Sequence, residues 1–194
     1  MSLKVLSIDI GIINLGYVFA EINKGIIKVL ECNRVNITIM RHQKVAWCDC
    51  RLHHDYCIPD YLDHFIQEQN HLFEQADIIL IERQPPVGIT NVQDLIFSRY
   101  RNKVKLISPN TVHKYFKMTK GDYDLRKTES ETITRDYLES FVNFTDNLRR
   151  HDISDAMLMI IYYSQNLASS LPKNKFNDFE QFRFNDFEKF RLTV

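Results

Sequence analysis

Apolar and polar positions sort the first 39 residues into three strands. Lys4 to Ile10 is an apolar run rich in Ile, Leu and Val with one acid, Asp9, set inside it. Its length and β-branched content predict a buried strand ending near Ile10. Gly11 and Gly16 bracket a turn, and Leu15 to Glu21 resumes as a second strand. Lys28 to Ile39 predicts a third, paired to the second through the Asn23-Lys24-Gly25 turn, so residues 1–39 read as an antiparallel meander. After an irregular polar stretch, Arg41 to Cys57, Pro59 opens a helix to about Gln75. Its apolar positions, Leu62, Phe65, Ile66, Leu72 and Phe73, recur at helical spacing.

Ala76 to Arg83 is short and almost wholly apolar, which predicts a strand buried on both faces. Glu82 stands at its end, and Gln84-Pro85-Pro86 cannot continue it. Ligand sites in open α/β sheets lie at such strand ends. Asn91 to Asn102 reads as a helix, Val104 to Ser108 as a strand stopped by Pro109, and Thr111 to Phe116 as a short helix. Lys117 to Arg126 reads as a loop, and Lys127 to Phe141 and Ile153 to about Ala168 as helices. The pattern predicts one α/β domain over residues 1–168. The tail, 169–194, contains FNDFEQFR followed at once by FNDFEKFR, an internal duplication whose Phe spacing draws no clean helical stripe. It reads as a peripheral arm or partner-binding segment.

At 194 residues, 44% hydrophobic and 26% charged, the chain has the composition of a soluble globular domain. No apolar run reaches membrane-spanning length, and the N-terminus enters a strand without a leader pattern, which reads as cytoplasmic and not secreted. The formal net charge is zero. That balance hides a basic segment: Arg99, Arg101, Lys103, Lys105, Lys114, Lys117, Lys120, Arg126 and Lys127 face only Asp122 and Asp124 in the same stretch. Such a surplus suits a phosphate backbone, and the interleaved Tyr100, Tyr115, Phe116 and Tyr123 could stack on exposed bases. Tyr115 and Phe116 read equally well as core residues of a short helix.

Acids fall at three special places: Asp9 within a strand, Glu82 at a strand end, and Asp152 with Asp155 in RHDISDAM. The last two are spaced i, i+3, so both can face one way, although an Asp at a helix start also serves as a cap. Asp9 alone could be satisfied by a neighbouring Arg or Lys. Clustered carboxylates repel one another unless divalent cations neutralise them, and their hard oxygens suit Mg²⁺ or Mn²⁺. Two such ions about 4 Å apart activate water and stabilise the leaving oxygen in phosphodiester hydrolysis. Cys48, Cys50, His53, His54 and Cys57 also cluster, but CDCRLHHDYC lacks paired C-x-x-C knuckles. Free thiols are the favoured reading there, with structural zinc the alternative.

The order SIDIGIINLGY, LIERQPP, HDISDA resembles the RuvC-type branch of the RNase H-like nucleases, and more closely the poxvirus Holliday junction resolvases. The likeness covers about residues 1–168. It implies a three-stranded meander extended by parallel strands, helices on both faces, and a homodimer cutting four-way DNA junctions with Mg²⁺. By position, Asp9, Glu82, Asp152 and Asp155 match the family's metal-binding acids. Lys127 is the first choice for the basic residue that meets the scissile phosphate, and Lys120 the second. The resemblance also makes the 91–102 helix, with Val92, Leu95 and Ile96 on one face, the expected dimer helix; the alternative is that these three pack on the chain's own sheet. Two rival readings are a single-lobe relative of the actin and heat-shock ATPases and a non-catalytic binder of branched DNA. The first needs a second lobe and a second glycine-rich phosphate loop, and five glycines in all are too few for one. The second should have lost one of the acids.

Overall fold

Period-two burial builds the sheet. In β1 (Ser2–Asp9), Leu6 and Ile8 face one side and Val5 and Ser7 the other, and all four are fully buried. A strand buried on both faces has helices on both. The computed structural model describes residues 2–39 and 57–170. β1 pairs antiparallel with β2 (Leu15–Asn23), from Ser2 opposite Asn23 to Asp9 opposite Gly16. β2 pairs antiparallel with β3 (Ile26–Val35). Their two-residue link, Lys24 and Gly25, has φ of 50° and 82°, the pair of left-handed residues that a type I′ turn requires. β4 (Ile78–Glu82) runs parallel to β1, and β5 (Val104–Ile107) parallel to β4. The strand order is β3-β2-β1-β4-β5, the expected meander with two parallel strands added. The third strand ends at Val35, short of Ile39, because Ile37–Ile39 coils into a 3₁₀ turn whose first N–H donates to Ile12 O at 3.0 Å.

One face carries α1 (Ile58–Glu68), α2 (Asn70–Gln75) and α3 (Thr90–Arg99). The single helix expected from Pro59 to Gln75 is thus broken at Gln69, while its five apolar positions pack together as the spacing implied. Val92 and Ile96 of α3 are fully buried in that same core. Of the two readings of that face, packing on the chain's own sheet holds for Val92 and Ile96: an i, i+4 pair turned to the sheet leaves Leu95 of the three in solvent, 38% exposed.

The other face carries α4 (Pro109–Tyr115), α5 (Tyr123–Leu138), α6 (Val142–Thr145) and α7 (Arg150–Ser170). α7 lies between the sheet and α5. That placement explains why Ile153, Ala156, Met157 and Ile160 are all fully buried. α5 offers Ser130, Thr134 and Leu138, three buried residues at four-residue steps, to the same core. It begins four residues before the expected Lys127 because Asp122 caps it, accepting from Leu125 N at 2.9 Å. Among the described residues no helix is long and apolar enough to cross a membrane. Cys57 is a free, partly exposed thiol. Cys48, Cys50, His53, His54 and the duplicated octads lie outside the described residues.

Candidate active site

Register brings the first two acids together. β1 and β4 pair from Val5 beside Ile78 to Ile8 beside Ile81, and one further step sets Asp9 beside Glu82. Strand parity sends both the same way: Val5, Ser7 and Asp9 share a face, as do Ile78, Leu80 and Glu82, and Val5, Ile78 and Leu80 pack in the α7 core. Across β2, Asp9 faces Gly16. A Cβ on Gly16 would stand 2.1 Å from Asp152 O and 2.4 Å from its carbonyl carbon. The missing side chain lets the first turn of α7 rest on the sheet, and that contact carries Asp152 and Asp155 over Asp9 and Glu82. All four acids line one cavity of about 510 Å³.

Their electrostatics differ. Burial raises the Asp9 carboxyl well above its ordinary value, and repulsion from Glu82 and Asp155 adds to it, as does a hydrogen bond to Glu82 that only protonated Asp9 can donate. Burial pushes the Asp155 carboxyl up to about 7, against a lowering contact from Ser130. Ser130 Oγ also lies 2.9 Å from Lys127 O, and its one proton serves either partner. Asp152 is held elsewhere: Arg149 Nε donates to its Oδ2 at 3.0 Å, and His151 Nε2 lies 3.2 Å from its Oδ1 without an aligned hydrogen bond.

Acids raised by burial and by one another's charge, as Asp9 and Asp155 are, form the environment that a hard cation relieves. Among the described residues no three acidic, His or Cys side chains are already drawn into a ligand cluster. Asp152 turns instead to Arg149, whose Nε donates to its Oδ2. The donor chemistry, carboxylate oxygens converging on one cavity from Asp9, Glu82, Asp152 and Asp155, fits a divalent cation.

Lys127 reaches the cavity and Lys120 does not. Lys127 Nζ lies 3.9 Å from the Tyr123 ring centroid and 3.6 Å from Asp124 Oδ1. Arg126 also lines the cavity, while Lys114 and Lys117 are exposed on α4 and just beyond it. Arg99, Arg101 and Lys103, expected on the DNA surface, are not brought to the acids. They sit where α3 ends and β5 begins, whereas Glu82 pairs with Ile107 at the far end of β5, about 13 Å along the strand from Lys103. Arg99 pairs with Asp63, Arg101 lies over the Phe97 ring, and Lys103 Nζ donates to Phe73 O and Glu74 O at 3.2 Å. Of the four aromatics, Tyr100 stacks on Phe73, and Tyr115 packs with Phe116 and Tyr162. Tyr123 is 59% exposed at the cavity.

Sequence reasoning missed Asn14, His113 and Arg149, all on the cavity wall. Arg149 had a legible signal, a cation three residues ahead of Asp152. Asn14 had one too, as the Asn of the D-I-G-x-x-N-x-G pattern from Asp9 to Gly16, but its anchor is distant: Arg34 Nη1 donates to Asn14 Oδ1 at 2.5 Å and its Nε to Asn147 Oδ1 at 3.0 Å. That bridge ties the Gly11–Asn14 turn to the loop ahead of α7.

Two solved structures share the fold. The fowlpox virus resolvase in complex with substrate Holliday junction DNA is 16% identical, with a TM-score of 0.60 over 85% of this chain and 99% of that one. The yeast mitochondrial Holliday junction resolvase is 22% identical, with a TM-score of 0.56 over 86% of this chain and 81% of that one. No curated protein sequence matches the chain. A family model described as poxvirus A22 protein matches residues 4–167, which include the meander, all four acids and α7 almost to its end. The chain belongs to the poxvirus A22 protein family.

Proposed function

We propose that this chain is a divalent-metal-dependent endonuclease that resolves four-way DNA junctions, cutting one phosphodiester in each of two opposed strands. One observation carries the reading: Asp9 and Glu82 stand side by side on adjacent strands, and Gly16 lets Asp152 and Asp155 close over them. The fold shared with two resolvases, one solved with its junction substrate, supports it.

Asp9, Glu82 and Asp155, with Asp152, would hold Mg²⁺, or Mn²⁺ in its place, as two ions per site. The metal supplies activation of water and charge stabilisation at the phosphate. The chain supplies the rest. Lys127 offers a cation at the cavity for the scissile phosphate, and Arg126, Lys114 and Lys117 extend positive charge outward for the flanking backbone. Lys120, exposed in the same loop, adds to that strip. Arg149 holds Asp152 until the ligand set forms. Paired cuts on a near two-fold substrate need two sites, so the working unit is a homodimer. The nuclease would span the strands and helices through α7, and the enzyme would act in the cytoplasm of the infected cell.

The test is incubation with end-labelled four-way junction, flap and linear duplex, in Mg²⁺ and in Ca²⁺. Opposed cuts in the junction with Mg²⁺ alone are expected. Equal cutting of linear duplex, or none of the junction, would overturn the proposal.

A further inference from the structure

We propose that Tyr123 stacks on the nucleobase next to the scissile phosphate, so that its ring sets which nucleotide the site accepts at the cut. The inference rests on the junction-nuclease reading above and adds the residue that contacts a base. Tyr123 is 59% exposed and belongs to neither hydrophobic core, whereas the other aromatics of the basic segment are packed against their own chain. Leaving a large ring in water forgoes the burial that normally holds it; the side chain's partners among the described residues are cations, Arg149 at its hydroxyl and Lys127 and Arg126 beside its ring. Its position is fixed rather than loose, since it is the first residue of α5, directly after the Asp122 cap. It lies on the wall of the acid cavity, with Lys127 Nζ 3.9 Å and Arg126 Cζ 5.9 Å from its ring centroid.

Those distances matter for a nucleotide. A phosphate drawn to Lys127 carries its own sugar and base, and the flat surface nearest to that cation is the Tyr123 ring. Every base has a π-face, so an aromatic can take whichever one is presented, and the strength of the stack varies with the base. The cations around the ring carry no such discrimination, because they meet phosphates that are identical at every step.

The test compares wild type, Tyr123→Leu and Tyr123→Phe on junctions of one sequence. One junction is intact, and others carry an abasic nucleotide on one side or the other of the cut. Single-turnover cleavage of the wild type should fall about ten-fold or more when the stacked base is missing. Tyr123→Leu should cut the intact junction slower by about the same factor and lose nothing further on the abasic one. Tyr123→Phe keeps the ring and loses only the hydroxyl that meets Arg149, so the ratio of its rates on intact and abasic junctions should stay within about two-fold of the wild-type ratio. A Leu variant as fast as wild type on the intact junction overturns the inference. So does a slow Leu variant that keeps the full wild-type sensitivity to the abasic site, since the ring would then only seat Lys127. In both cases the wild type still cuts the intact junction and the nuclease reading stands. A wild type that leaves the junction whole overturns both.

Discussion

Gly16→Ala should disable the site without touching an acid. The added Cβ would stand 2.1 Å from Asp152 O, where ordinary contact begins at 3.4 Å, so the first turn of α7 must withdraw by 3.4 − 2.1, about 1.3 Å. Both groups in the clash are backbone, and no rotamer relieves it. Overpacking of this kind costs about 1–3 kcal/mol, a part of the roughly 5–15 kcal/mol that holds a domain together. The rest of α7 stays anchored by Ile153, Ala156, Met157 and Ile160. The variant should therefore fold, with Asp152 and Asp155 displaced from Asp9 and Glu82. A misplacement near 1 Å costs on the order of 10²-fold in rate. The assay is single-turnover cleavage at saturating junction, with Tm measured on the same sample. Gly121→Ala is the control: at φ +87° it strains the backbone, but its Cβ meets nothing within 4 Å. It should lose about 1 kcal/mol of stability and little rate. A Gly16→Ala enzyme that cuts within a few-fold of wild type would refute the argument that this contact assembles the site.

Metal and protons should compete. Asp155, at about 7, and Asp9, raised by burial, both hold a proton in the fold that they lose in the unfolded chain, so metal-free stability should fall as pH rises from about 4 through about 7. Mg²⁺ needs the ionised acids, so its stabilisation in a thermal melt should be larger at pH 8 than at pH 5.5; equal shifts would contradict the ligand set. Lys127→Ala should lower the saturated cleavage rate by on the order of 10²-fold. Lys120→Ala should leave that rate unchanged and reduce the salt dependence of binding by about one counterion, read as the slope of log K against log salt. Neutralising Arg99 and Arg101 together should leave the slope unchanged, since Arg99 pairs with Asp63, Arg101 lies over the Phe97 ring and neither lines the acid cavity; a flatter slope would place them on the DNA surface. A supercoiled plasmid with an extruded cruciform should give linear product directly, and early accumulation of nicked circle would argue against coupled cuts by a dimer.

Much of this architecture was legible because local signals agreed with tertiary ones. The first strand, its acid, the two-residue turn and the buried Ala76–Arg83 run all come from patterns within ten residues. That Asp9 and Glu82 touch was also available from strand parity, once the two strands are taken as parallel neighbours in register. Other features depend on distant partners. Nothing near Gly16 reveals that α7 backbone rests on it, and nothing near Lys103 reveals that α2 carbonyls take its charge. The basic segment divides for that reason: charge along the sequence does not say which end of a strand each residue occupies, so Arg126 and Lys127 line the cavity while Lys103 stands just ahead of the opposite end of β5. Val92 and Ile96 were open to two readings, a dimer face by resemblance and a face on the chain's own sheet, and the second holds.

Glu82→Gln, assayed for junction binding and for cleavage on the same preparation, tests the central claim most directly. The substitution keeps the side chain's shape and removes one charge from the set that would hold the metal, leaving Lys127, Arg126 and the outer cations in place. Junction affinity within a few-fold of wild type, with cleavage reduced to background in Mg²⁺, is the result the account predicts. Cleavage retained at more than a few per cent of the wild-type rate would contradict it and remove Glu82 from the active centre.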